Sequence, residues 1–304
     1  MQPTIRYPAG ESGLTLHLVG LGDVGGTLLT GLLLTCPMLK TIGIYDPDAN
    51  RVSRYEQEMN QILPVDGTKP QVVPLAYEEL FDGCDVFVFT ASAGVPPLGA
   101  EQTDVRMVQF EKNRSIVRPY ARMALEKQYD GLFVQVSDPV DLLCGVVCET
   151  GLQPQQIVGC GLGVMRARAD YCARRHGVKD FLSRGRVFGP HGGGLIVAND
   201  PGPGYDDALS RALTDEVLTA NLAVRATGSK PYIAPGLSSG ALTIRSMLRG
   251  EFFDASFGQQ GIFWGCRARM TPQGFVQESL SLHPQLAARV QQSKEEMMQA
   301  WKRV

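Results

Sequence analysis

The residues of this chain that could do chemistry begin with a glycine cluster. Gly20-Leu21-Gly22-Asp23-Val24-Gly25 follows an apolar run from Leu14 to Val19, and a second apolar run, Ile42-Gly43-Ile44-Tyr45, ends on Asp46. With this spacing Gly20 turns a strand into a helix, Gly22 lets backbone approach a pyrophosphate, and Gly25 lets the helix pack on its sheet. The helix N-terminus then faces the phosphates. Asp46 is placed to accept hydrogen bonds from an adenosine ribose and to repel an added 2′-phosphate, so NAD is expected rather than NADP. Asp23 and Val24 at the helix start, and Thr90 and Ala91 after a later buried strand, complete the expected dinucleotide contacts. A second cluster is His191 in a glycine-flanked turn, preceded by an arginine-rich segment carrying Arg166, Arg168, Arg174 and Arg175. Histidine titrates near working pH, and a guanidinium forks onto a carboxylate.

Other classes of function are excluded by composition. The chain has 304 residues, 44% of them hydrophobic, enough for one large core or two moderate ones. Its 29 basic residues are balanced by 31 acidic ones, with no basic tract to neutralise a run of phosphates, so nucleic acid is not an expected partner. No stretch has the length and apolarity to cross a bilayer. Seven cysteines, an odd number without a CxxC pair, mostly lie in apolar runs. They are expected to be reduced, buried thiols of a cytoplasmic protein, and no metal site is expected.

The elements that must position these residues alternate in the first half. Strands are expected at 14–19, 41–45, 71–75, 85–90, 131–136 and 156–160, with helices between most of them, including one at 26–36 stopped by Pro37. This is the pattern of a doubly wound parallel sheet, an α/β Rossmann arrangement. After residue 160 the pattern changes to a helix at 164–175, short strands at 186–188 and 195–198, helices at 205–227 and 237–248, and strands at 252–257 and 262–269. A helix at 284–302 closes the chain, with Leu286, Val290, Met297 and Trp301 as one apolar stripe. The expectation is a dinucleotide-binding domain over 1–150 and an α+β substrate domain over 151–304.

Three further segments fall in an order that resembles the NAD-dependent lactate/malate dehydrogenase family over nearly the whole chain. They are Val136-Ser137-Asp138-Pro139-Val140-Asp141, Gly159-Cys160-Gly161 followed by a helix carrying Arg168, and Gly189-Pro190-His191-Gly192-Gly193. The resemblance implies a 2-oxo or 2-hydroxy acid substrate, NAD as cofactor, and a homodimer or homotetramer. It implies that Arg168 clamps the substrate carboxylate, that Arg106, seven residues before Asn113, closes over the carbonyl on a mobile loop, and that His191 handles the proton.

Two departures from the family bear on mechanism. The carboxylate that pairs with the histidine is replaced by Met165, and the asparagine before proline is replaced by Asp138. Three readings stay open: Asp138 takes over as acid partner, Asp138 binds a cationic substrate group such as an amine, or the chain binds NAD as a regulatory or scaffold protein without turnover. Pro96-Pro97-Leu98 falls where the family's specificity residue lies, in a longer loop. Lys230, in a segment that resembles the family's pocket lining, would favour an acidic substrate side chain if it faces the pocket, although an exposed loop lysine is the commoner outcome. A rival reading, an esterase using His191-Gly192-Gly193-Gly194 and the Gly236-Leu237-Ser238-Ser239-Gly240 pattern, needs a buried strand entering Ser238, and Pro231 and Pro235 interrupt that approach.

Overall fold

The computed structural model describes residues 3–94 and 105–302, with the side chains of 105–107 outside that description. The first half runs β1 (Leu14–Val19), α1 (Asp23–Thr35), β2 (Leu39–Tyr45), α2 (Ala49–Asn60), β3 (Gln71–Pro74), β4 (Val86–Phe89), α3 (Val105–Glu126), β5 (Leu132–Gln135) and α4 (Val140–Glu149). The second runs β6 (Ile157–Gly159), α5 (Leu162–Arg175), α6 (Phe181–Arg184), β7 (Arg186–Phe188), β8 (Ile196–Ala198), α7 (Asp207–Ala226), a π-helical turn Pro235–Ala241, α8 (Leu242–Leu248), β9 (Phe252–Gln259), β10 (Ile262–Thr271), β11 (Gly274–Gln277) and α9 (Pro284–Trp301).

Nine of these strands form one sheet in the order β11-β10-β9-β6-β5-β4-β1-β2-β3. The six from β6 to β3 are parallel. The central ones read as continuous apolar runs because helices cover both faces: β4 and β5 have no exposed residue, and Leu16 and Leu18 of β1 are fully buried. Leu28, Leu29 and Leu32 of α1 are equally buried, and each contributes about 1.5–3 kcal/mol relative to exposure. That packing holds the start of α1 in place. Strand order reverses between β1 and β4, the switch point at whose carboxyl ends ligands bind in such sheets.

Beyond β6 the sheet continues rather than stopping. Strand β9 pairs antiparallel with β6, Val158 opposite Phe257, and β10 and β11 follow. The aromatic runs at 252–257 and 262–269 thus extend the parallel sheet across residue 150, and β11 and α6 are elements the sequence patterns did not announce. A separate two-stranded ribbon, β7 with β8, carries the turn 189–195. Caps follow the expected chemistry: Asp48 accepts from the N–H groups of Asn50 and Arg51 at the start of α2, and Asp206 accepts from Leu209 N at α7.

Candidate active site

The glycine loop sits at the switch point. Gly20 adopts φ +93°, and a Cβ there would lie 2.6 Å from Ala91 N; a Cβ on Gly25 would lie 1.9 Å from the Gly20 carbonyl oxygen. Both positions therefore require glycine. The Thr90 hydroxyl, which donates to the carbonyls of Gly20 at 2.6 Å and Val19 at 3.0 Å, fastens the loop from behind. Thr90 and Ala91 thus act as its backing. Around Gly22, by contrast, a Cβ would meet nothing within 4 Å. Gly22 stands immediately before the first turn of α1, where Asp23 and Val24 lie.

Asp46 stands at the end of β2. Its Oδ2 accepts from Leu21 N at 2.8 Å and lies 3.3 Å from the Arg51 guanidinium, while Oδ1 accepts from Asp48 N at 3.0 Å. The carboxylate ties the glycine loop to β2, and Arg51 is a neighbour that the sequence pattern did not point to. Lys230 reaches Asp23 across 207 residues of chain, Nζ to Oδ2 3.2 Å, with its side chain 82% exposed. Lys230 is thus a solvated group at the start of α1.

The second cluster is assembled from several elements. His191 lies in the turn between β7 and β8, and its Nδ1 is 2.8 Å from the carbonyl oxygen of Gly161, the residue preceding α5. A carbonyl only accepts, so Nδ1 carries the proton and Nε2 is the nitrogen left for exchange. The same carbonyl accepts from the Ser239 hydroxyl at 2.8 Å, and that hydroxyl accepts from Val164 N at 2.9 Å. Gly161 is required by this contact: a Cβ would lie 2.7 Å from His191 Cβ and 3.0 Å from Cγ. The backbone of His191 is held by Asp141, whose buried carboxylate accepts from His191 N at 2.8 Å and from the Ser256 hydroxyl.

Asp138 completes the cluster. Its Oδ2 is 3.7 Å from His191 Nε2, and its Oδ1 is buried and accepts from nothing among the described residues. The acid thus lies on the exchange side of the ring, and the orienting position on Nδ1 is filled by the Gly161 carbonyl. The Asn113 amide donates to the Asp138 carbonyl at 2.6 Å, while its side-chain oxygen accepts from Ala93 N at 2.8 Å, joining α3, the end of β4 and the Asp138 turn. Arg168 is half-buried, with one guanidinium nitrogen 3.7 Å from Met165 Sδ. Burial pushes its pKa below the ordinary arginine value, and the Asp138 carboxylate opposes that shift. Among the described residues no carboxylate lies within 4.0 Å of it.

Arg106 falls in the first turn of α3, and its side chain lies outside the described residues, as does the segment Pro96-Pro97-Leu98. Of the arginines on α5, Arg174 and Arg175 are solvated, whereas Arg166 is 11% exposed and pairs with buried Asp254 of β9 at 3.4 Å. The esterase arrangement does not form. Ser238 lies in a π-helical turn rather than after a strand, and its neighbour Ser239 is consumed by Gly161. Gly161, Ser239 and Asp141 are the functional neighbours that spacing left unassigned; Asp141 alone carried a signal, as an acid in an otherwise apolar stretch.

No family model matches the chain. An L-lactate dehydrogenase of Staphylococcus saprophyticus is 26% identical over 287 residues, 86% of each chain. Among solved structures, the minor L-lactate dehydrogenase of Enterococcus mundtii superposes with a TM-score of 0.79 at 21% identity, covering 96% of this chain and 98% of that one. The malate dehydrogenase of Archaeoglobus fulgidus, solved with NADH, gives 0.79 at 18% identity, covering 95% and 99%. In sequence this chain is similar to L-lactate dehydrogenases, and its fold is that of the lactate and malate dehydrogenases.

Proposed function

We propose that the chain is an NAD-dependent oxidoreductase passing a hydride between nicotinamide and C2 of a small 2-oxo or 2-hydroxy acid. The observation that carries this reading is the hydrogen bond from His191 Nδ1 to the Gly161 carbonyl. It leaves Nε2 as a proton-exchanging atom at the head of the helix that bears Arg168. The glycine loop fits a dinucleotide: the space at Gly22 is open, α1 offers its N-terminus, and Asp46 keeps acceptor capacity for a ribose hydroxyl beyond its three donors. When bound, NADH supplies the hydride and NAD takes it. Arg168 forks onto the substrate carboxylate and orients C2, Arg106 closes over the carbonyl, and His191 gives or takes the proton at Nε2. Residues 1–150 hold the cofactor and 151–304 supply Arg168 and His191, with Asp138 reaching across. The unit is a homodimer or homotetramer in the cytoplasm.

A regulatory or scaffold protein of the same fold is the second reading. It is favoured by Met165, whose thioether touches Arg168 and offers His191 no charge. NADH oxidation with a panel of 2-oxo acids separates the two. Turnover is expected, and Arg168→Lys, which loses a charge-assisted bond, is expected to lower kcat/KM about 10- to 100-fold. Tight NADH binding without turnover would establish the second reading.

A further inference from the structure

With the ring neutral, His191 offers an acceptor at its exchange atom, and among the described residues the carboxylate beside that atom accepts as well. Nδ1 carries the ring's proton because its partner is a carbonyl, so the neutral ring presents a lone pair at Nε2. The atom beside it, Asp138 Oδ2 at 3.7 Å, is a carboxylate oxygen and also accepts. Two acceptors at that separation can share one substrate atom about 2.9 Å from each. A carbonyl oxygen there has no hydrogen to offer either, and a hydroxyl has one. A protonated C2 nitrogen donates to Oδ2 and, where it bears a second hydrogen, to Nε2 as well.

Charge points the same way. Arg168 and Asp138 set a cation and an anion on the same site, close enough for Asp138 to act on the guanidinium, yet no carboxylate within 4.0 Å neutralises Arg168 among the described residues. One cation and one anion in a site suit a zwitterion, which carries both a carboxylate and a charged nitrogen. A 2-oxo acid satisfies the cation but brings no hydrogen for the Asp138 carboxylate to accept. Asp138 Oδ1, buried and without a donor among the described residues, adds acceptor capacity that the protein leaves unfilled.

From this geometry we infer that the preferred substrates are the nitrogen counterparts, 2-imino acids in reduction and 2-amino acids in oxidation, with Asp138 as the residue that selects C=N over C=O. The inference rests on the hydride-transfer reading above. In reduction the hydride bonds to C2, the π pair of the C=N bond moves to nitrogen, NADH becomes NAD, and the iminium becomes an amine. The amine nitrogen then takes a proton from solvent through His191 Nε2. In oxidation the ammonium first gives a proton to Nε2, and the hydride then leaves C2 for NAD. Arg168 holds the carboxylate in both directions, and Asp138 accepts from the nitrogen throughout.

The test compares Δ1-pyrroline-2-carboxylate with 2-oxopentanoate, which have equal carbon counts, by NADH consumption and mass-spectrometric detection of the product. Three proteins are measured: native, Asp138→Asn and Asp138→Ser, each checked for NADH affinity by calorimetry. The native protein is expected to show at least a 10-fold higher kcat/KM for the cyclic imino acid. Both variants are expected to lose that preference, chiefly through a fall on the imino acid, with NADH affinity unchanged. A native preference for the 2-oxo acid, equal rates on the two, or a proportional fall on both substrates in the variants overturns the inference while leaving the oxidoreductase reading intact. NADH binding without turnover of either substrate overturns the inference and favours the scaffold. Absence of NADH binding removes the reading on which it rests.

Discussion

The atom that decides how His191 behaves is the carbonyl oxygen of Gly161. A neutral acceptor on Nδ1 fixes the tautomer and the ring plane without adding charge, so the ring is oriented by backbone where the family resemblance led to an expectation of a carboxylate. That orientation depends on the missing side chain at 161, since a Cβ would press on His191 Cβ and Cγ at 2.7 and 3.0 Å. Gly161→Ala is therefore expected to rotate the ring off its acceptor and to lower kcat at least 10-fold. NADH affinity should stay near native, because the glycine loop is built from other elements. Stopped-flow turnover together with NADH titration checks this; a native kcat in the alanine variant would show that the carbonyl does not orient the ring.

At the scale of elements, α5 is held to the sheet by charge as well as by apolar packing. Arg166 bonds Asp254 of β9 and donates to the carbonyls of Leu182 and Gly185, so it joins helix, strand and the short helix α6. Burial pushes the Asp254 carboxyl up, and Arg166 and Arg267 counter it. Removing one partner of such a pair leaves a buried charge short of compensation. Arg166→Met is expected to cost about 3 kcal/mol, at the low end of such losses because Arg267 stays 3.6 Å away, measured by urea unfolding.

Strand β1 carries a different constraint. His17 is buried, donates from Nδ1 to the Leu80 carbonyl at 2.9 Å, and has its pKa lowered from 6.5, chiefly by desolvation. Its folded value lies below its unfolded value, so its contribution to stability is whole above about pH 6.5 and is lost as pH falls through the folded value. Thermal midpoints measured between pH 7.5 and 5 are expected to fall more steeply for the native protein than for His17→Gln. Superimposable slopes would mean that His17 is not the group responsible.

For the whole molecule, the cofactor loop and the substrate cluster are fixed by one continuous sheet. β1 and β4 hold the glycine loop, and β6 with β9 hold the base of α5. Ligand bound to that frame stabilises all of it. NADH at 100 times its dissociation constant is expected to add about 2.7 kcal/mol, a rise of about 5 °C in Tm, and NADPH at equal concentration clearly less because its 2′-phosphate meets Asp46. Equal shifts from the two would remove the case for NAD specificity.

The sequence by itself determined what depends on neighbours in the chain. The glycine loop was legible because turn, close approach and helix start all fall within six residues, Gly20 to Gly25. The central parallel strands were legible because burial on both faces makes them continuous apolar runs. It also named Asp138, Arg168 and His191 as a set, though by resemblance rather than by spacing. Only the tertiary structure decided which atoms meet. Gly161 and Ser239 serve His191 from 30 and 48 residues away, with nothing in their local sequence to mark them. The same holds for Arg166, which sits among solvated arginines on one helix and is buried only because β9 brings Asp254 beneath it. Strand β9 reaches that place by pairing with β6, and a pairing between residues as far apart as Val158 and Phe257 is set by which sheet edge remains open, not by the run of residues that fills it.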